Sequence, residues 1–240
     1  MGIHLLPPLF KIVIAPPVIG PTIEHTVEFV PDKHPEVSSV DGFVKQEGTK
    51  MTWANLIAAA GNGSSDEAAG LLVQFVSYRF TTNWFQTLHR VIMLFDTSSI
   101  PLTAVITTAS LKVYGSNKYD QLSSNLDMNI YSSNPASDTA LVDADYQALG
   151  STPLCDTPID YTSFAVGDWN VFILNAAGLA VITKGGITKL GARNANYDVA
   201  GVQPPWLPGG HYTCGLYFEA ADKLTPVNKP TLTVTYLAYT

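Results

Sequence analysis

Between Arg90 and Asp96 the chain has no polar residue: Leu88-His89-Arg90-Val91-Ile92-Met93-Leu94-Phe95-Asp96. A short apolar run of this kind is a strand covered on both faces. Turn residues follow at Thr97-Ser98-Ser99-Ile100-Pro101, and from Val105 to Tyr114 the pattern changes to alternation. Val105, Thr107, Ala109, Leu111 and Val113 fall on one face, and Ile106, Thr108, Ser110, Lys112 and Tyr114 on the other. Period two is the signature of a half-buried antiparallel strand. A doubly buried strand beside a half-buried one is the signature of a β-sandwich.

The rest of the chain repeats the theme. Strands are expected over residues 23–30, 71–80, 127–132, 169–174, 187–193, 212–219 and 231–239. In the last, Leu232, Val234 and Tyr236 point inward and Thr231, Thr233 and Thr235 outward. Residues 40–45 and 51–57 read as a hairpin pair. Residues 142–149 read as one or two helical turns with Asp143 as N-cap, and 175–182 as a short helix capped by Asn175 and ended by Gly185-Gly186. Pro31-Asp32-Lys33-His34-Pro35-Glu36 is a turn: proline cannot serve a central ladder, and the prolines argue against Asp32, His34 and Glu36 as metal ligands. Many short strands with small helices in the connections predict an all-β fold, a jelly-roll β-sandwich of antiparallel strands. Residues 23–240 form that domain. Residues 1–22 form an extended Pro-rich arm.

The arm carries Leu5, Leu6, Leu9, Phe10, Ile12 and Ile14 between Pro7-Pro8 and Pro16-Pro17. No basic residue precedes the apolar run, and the prolines break a helix, so it reads neither as a signal peptide nor as a membrane span. Such a segment needs apolar cover, from a neighbouring subunit or as an edge strand of its own domain. Of the 240 residues only 14% are charged, against a usual ~25%. Low charge leaves surface that is buried against neighbours without desolvating ions. A formal charge of −7 makes nucleic acid a poor partner. Cys155 lies in a Pro-rich loop and Cys214 in a strand; spacing alone leaves their pairing open.

The order of these segments resembles the DNRLRE-type jelly rolls, relatives of carbohydrate-binding modules. The resemblance rests on Arg90, Phe95-Asp96, Ser99-Ile100-Pro101, Ile106 to Tyr114, Trp169 to Leu174, Leu190-Gly191-Ala192-Arg193 and Lys229-Pro230-Thr231-Leu232-Thr233-Val234-Thr235-Tyr236, across residues 70–237. The Phe29–Gly42 segment with Thr52-Trp53 is similar to N-terminal regions of phage and environmental-virus particle proteins. The resemblance implies a jelly roll, and leaves open a structural Ca2+ for which Asp138, Asp143 and Asp145 are weak candidates beside capping roles. No other cofactor is expected.

The sequence has no Gly-x-Ser-x-Gly, His-Glu-x-x-His, phosphate loop or Cys-x-x-Cys, and a non-enzymatic role is expected. Trp206, in Gln203-Pro204-Pro205-Trp206-Leu207-Pro208-Gly209-Gly210, with Tyr197, His211 and Trp84, are the candidate contacts for a carbohydrate or a protein partner. Trp53 and Trp169 are expected in the core, and Arg90 is expected to pair with a carboxylate or loop carbonyls. The expectation is a virion structural protein of a phage-like virus, a capsid decoration or head- or tail-associated protein at the virion surface. It would contact other virion proteins and copies of itself through low-charge surfaces and the arm. The alternative is an extracellular or cell-surface carbohydrate-binding module or adhesin that takes host-surface glycans.

Overall fold

The computed structural model describes residues 20–223 and 228–239; Leu5, Leu6, Leu9, Phe10, Ile12 and Ile14 of the arm lie outside them. The chain is an all-β, jelly-roll-like sandwich. Its strands are β1 (Thr22–Phe29), β2 (Asp41–Thr52), β3 (Gly63–Ser65), β4 (Gly70–Ser77), β5 (Trp84–Asp96), β6 (Val105–Asp120), β7 (Asp127–Ser132), β8 (Ile159–Asp160), β9 (Trp169–Ile173), β10 (Ile187–Asn194), β11 (Thr213–Glu219) and β12 (Thr231–Tyr239). Helices α1 (Trp53–Ala58) and α2 (Ala176–Ala180), a 3-10 turn (Asp143–Gln147) and a π turn (Ala195–Val199) fill connections.

All pairings are antiparallel, in the order β1-β12-β6-β11-β4-β5-β10-β7-β8, with β2 and β3 branching from β5 and β9 from β6. The sheet curls because two strands change partners along their length. β6 pairs with β12 through residues 105–112 and with β11 through residues 115–120, so one strand serves both layers. β5 pairs with β2 along one edge, and its other edge divides between β4, up to His89, and β10, from Val91 onward. Arg90 stands at this fork. From Val91 to Phe95 β5 is fully buried, as its unbroken apolar run requires.

Local signals explain the small helices. Asn175 Oδ1 accepts from Gly178 N–H at 3.0 Å and caps α2. Thr52 Oγ1 accepts from Asn55 N–H and starts α1. The expected hairpin of residues 40–45 and 51–57 therefore does not form. β2 runs on to Thr52 beside β5, and residues 53–58 turn into a helix that buries Trp53 and Leu56. The phase of β6 also shifts: Thr108 faces Thr235 but Ile106 faces Tyr236, so Thr107 is the extra residue of a bulge. Ala109, Leu111 and Val113 are buried as expected, while Val105 turns outward and Ile106 packs on the core. On β12, Leu232, Val234 and Tyr236 are buried, and so is Thr231. Trp53 is a core residue, but Trp169 is only half-buried, edge-on to Tyr114 at 5.4 Å with Lys112 Nζ 5.1 Å from its ring centre.

Candidate functional site

Three of the four aromatic contact candidates meet at one end of the sandwich, around the turn joining β4 to β5. Tyr78 N–H donates to Trp84 O at 2.8 Å and closes the turn, with Asn83 in a left-handed conformation (φ 62°). The Pro-rich loop folds back onto it: Trp206 Nε1–H donates to Tyr78 O at 2.9 Å, and His211 Nδ1–H donates to Ser77 O at 3.2 Å. Tyr78 stands edge-on to both His211 (5.5 Å) and Phe80 (5.8 Å). The Arg79 guanidinium lies 4.0 Å over Phe80, and Lys50 Nζ lies 4.8 Å over Trp84. Phe80 is 68% exposed, and Leu207, next to Trp206 in the Pro-rich loop, is exposed as well.

Tyr197 does not join them. Its hydroxyl donates to Ser124 O at 2.7 Å and its ring packs edge-on to Phe75, inside the fold. Sequence reasoning missed Tyr78, Arg79 and Phe80, because it carried the strand through Phe80; burial alternates only as far as Ser77. The signal that marks them is Thr81-Thr82-Asn83, a turn tripeptide that places the preceding aromatics at a loop tip.

A second surface lies on the outer side of the β1-β12-β6-β9 layer. Cross-strand neighbours share a face, so Thr26, Thr235 and Thr108 form one row and Glu28, Thr233, Ser110 and Ile173 the next. Val171 and Ile173 on β9 are exposed. A depression of about 350 Å3 runs over Thr108, Ser110, Ile173, Thr233 and Thr235. Among the described residues the charges on this face are Glu24, Glu28 and Lys112, and Lys112 Nζ pairs with Glu28 at 3.0 Å. Two further grooves flank the Pro153–Pro158 loop and share Asp156, Pro158 and Asn175. The Asp156 carboxylate there accepts from the Asn175 amide at 2.9 Å.

Arg90 has the kind of partner its burial demands. Its Nε–H and Nη2–H donate to Asp198 at 2.9 and 2.7 Å, and Nη1–H donates to Tyr146 O at 2.6 Å. Arg193 grips the same carboxylate at 2.9 Å through both Nε and Nη2. Burial alone would raise the pKa of Asp198; the two guanidiniums outweigh it and hold the carboxyl below its ordinary value. The triad joins β5, β10, the π turn and the 3-10 turn.

The calcium candidates do not converge. Asp138 pairs with Lys189 at 2.6 Å, Asp143 accepts from Ser64 Oγ, and Asp145 accepts from Ala136 and Val142 N–H. Asp143 is thus the first residue of its 3-10 turn instead of the N-cap, which is Val142. Among the described residues no three His, Cys, Asp or Glu side chains are grouped to hold a metal ion. Asp32 accepts from the N–H groups of Val37, Ser38 and Ser39, as a turn residue. Cys155 and Cys214 are both buried and unbridged. Among the described residues no helix is long and apolar enough to cross a membrane. Neither a family model nor a curated protein matches the chain.

Proposed function

We propose that this chain is a non-enzymatic structural protein of a phage-like virus particle, seated at the virion surface through contacts with other virion proteins and with copies of itself. The observation that carries the reading is the outer face of the β1-β12-β6-β9 layer, where hydroxyl and aliphatic side chains predominate and Lys112–Glu28 is the one ion pair among the described residues. Such a face costs little to dehydrate. The aromatic end adds an anchor of the composition that dominates protein contacts: Tyr78, Phe80, Trp206 and Arg79. The resemblance of residues 29–42 to particle proteins supports the virion as the setting.

Two changes on the exposed positions of β9 test this. Val171→Glu with Ile173→Glu adds charge where no core packing is lost. The folded double variant should lose self-association in sedimentation and incorporation into particles. A variant that assembles like the parent refutes the reading. A second reading, a carbohydrate-binding module or adhesin, draws on Phe80 and Trp206 as a stacking platform. Trp206→Ala with Phe80→Ala should then abolish binding on a glycan array, and an intact protein that binds no glycan ends it.

A further inference from the structure

Glu36, Asp41 and Asp222 meet where the segment between β1 and β2 crosses the turn that follows β11. Asp41 opens β2 and is 1% exposed. Its Oδ2 accepts from Ala221 N–H at 2.9 Å, while its Oδ1 is buried with no hydrogen-bond partner among the described residues. Asp222 Oδ1 accepts from His34 N–H at 2.6 Å, and its Oδ2 is likewise buried and, among the described residues, unpartnered. Glu36 Oε2 lies 2.9 Å from His34 Nδ1, and its Oε1 is unpartnered, as is the hydroxyl of Ser39. Glu219, on the strand leading into the turn, leaves Oε2 unpartnered too, with Lys223 3.5 Å from Oε1.

A buried oxygen without a donor is costly, and more so when ionised. Buried carboxylates that feel one another resist being charged together, and a proton bound by one of them removes one charge and supplies one donor. We propose that this acid cluster is a proton-operated latch: while it holds a proton it fastens the residue 31–40 strap and the Glu219–Lys223 turn to the start of β2, and when fully ionised it lets them loosen. The inference does not depend on the assembly reading above.

The charges around Asp41 agree with this. Burial first, then Asp222 and Glu36, push its carboxyl up to about 7, against the pull of Ala221 N–H and Lys229. Burial also raises Glu36. His34 faces Glu36 and Glu67 with Asp66 nearby; these carboxylates outweigh its desolvation and raise it. Asp41 folds with its pKa above the unfolded value of 3.8, so its stabilisation is present at acid pH and lost as pH rises through about 7. Loss of the His34 proton acts in the same direction.

Amide hydrogen exchange of the full chain, corrected for the intrinsic pH dependence of exchange, reads the latch directly. In EDTA, peptides covering residues 31–41 and 219–223 should lose protection by about tenfold between pH 6 and pH 8. A peptide covering residues 88–96 should hold its protection. Asp41→Asn should remove most of the pH dependence of strap protection, leaving the smaller part that His34 and Glu36 contribute. Should that variant fail to fold, Asp222→Asn serves instead: it removes a repelling charge and should lower the midpoint of the transition. Flat wild-type protection, or an Asp222→Asn variant with the parent midpoint, overturns the latch. So does recovery of protection at pH 8 on adding calcium chloride, since the missing counter-charge would then be a metal ion instead of a proton.

Discussion

Asp198→Asn should be the most damaging polar substitution in this fold, and the reason lies in the charge count around it. Asp198 receives four charge-assisted hydrogen bonds, two from Arg90 and two from Arg193, and all three side chains are buried. The triad carries a net charge of +1, offset in part by the carbonyls of Tyr146 and Gly150 and by the Tyr146 ring, 4.0 Å from the Arg90 guanidinium. Removing the carboxylate leaves two facing guanidiniums in the interior. Breaking a buried pair costs about 3–5 kcal/mol. At roughly 2–4 °C per kcal/mol for a chain of this size, Tm should fall by roughly 6–20 °C. Arg193→Met instead leaves a neutral Arg90–Asp198 pair, and its cost should be nearer about 1–3 kcal/mol, that of charged hydrogen bonds. Urea melts of both variants at pH 7 test the order. The charge argument is refuted if Arg193→Met is the more destabilising, or if Asp198→Asn costs less than about 1 kcal/mol. There is also a pH signature. The folded-state pKa of Asp198 lies below its unfolded value of 3.8, so its contribution stands above that pH and is lost as pH falls below it. The gap between parent and Asp198→Asn should close in strong acid, the opposite sign to the latch.

The two thiols and one glycine give further tests. Burial pushes Cys155 up to about 12 and Cys214 up to about 11, so neither should react with a disulfide reagent at pH 8 until urea exposes both; prompt labelling of the native chain would contradict the packing. Gly115 lies where β6 passes from one layer to the other, and a Cβ there would clash with Ala165 O and sit 2.9 Å from the Phe164 ring. Gly115→Ala should cost about 1–3 kcal/mol in a urea melt, and an unchanged midpoint would mean the segment yields freely.

What the sequence discloses here divides by how far apart the deciding residues are. Asn175 caps α2 from three residues away, and the bounds of β7 and β12 follow from patterns within each segment, so both were readable. Six residues of α1 are too few to establish a helical period, and Met51, Trp53 and Ile57 keep the alternate spacing of a strand until Thr52 is known to cap. The bulge in β6 is set by β12, over a hundred residues later, and no pattern within β6 announces it. Arg90 lies between these cases. A guanidinium inside an apolar run must be paired, so a partner was required, but whether it was a carboxylate or loop carbonyls stayed open: Asp198 is 108 residues away, in a π turn that reads as loop. The aromatic end follows the same logic. Trp206 and Trp84 each stood out alone, but their meeting depends on the loop folding back to Tyr78 O.

That division also explains why the polar groups that matter lie at junctions. The Arg90–Asp198–Arg193 triad sits where β5 changes its edge partner from β4 to β10, a gap that ladder hydrogen bonds cannot close. The acid cluster sits where the strap crosses the turn after β11, again outside any ladder. Backbone groups left over at such places need side-chain partners, and charged ones reach across the gap. The triad has its counter-charge within the chain, so it stays ionised and locks its fork over the ordinary pH range. The acid cluster has too few cations facing it, so it must draw protons from solvent. The two junctions therefore differ in one physical respect, the source of the compensating charge, and that difference makes one a fixed joint and the other a pH-dependent one.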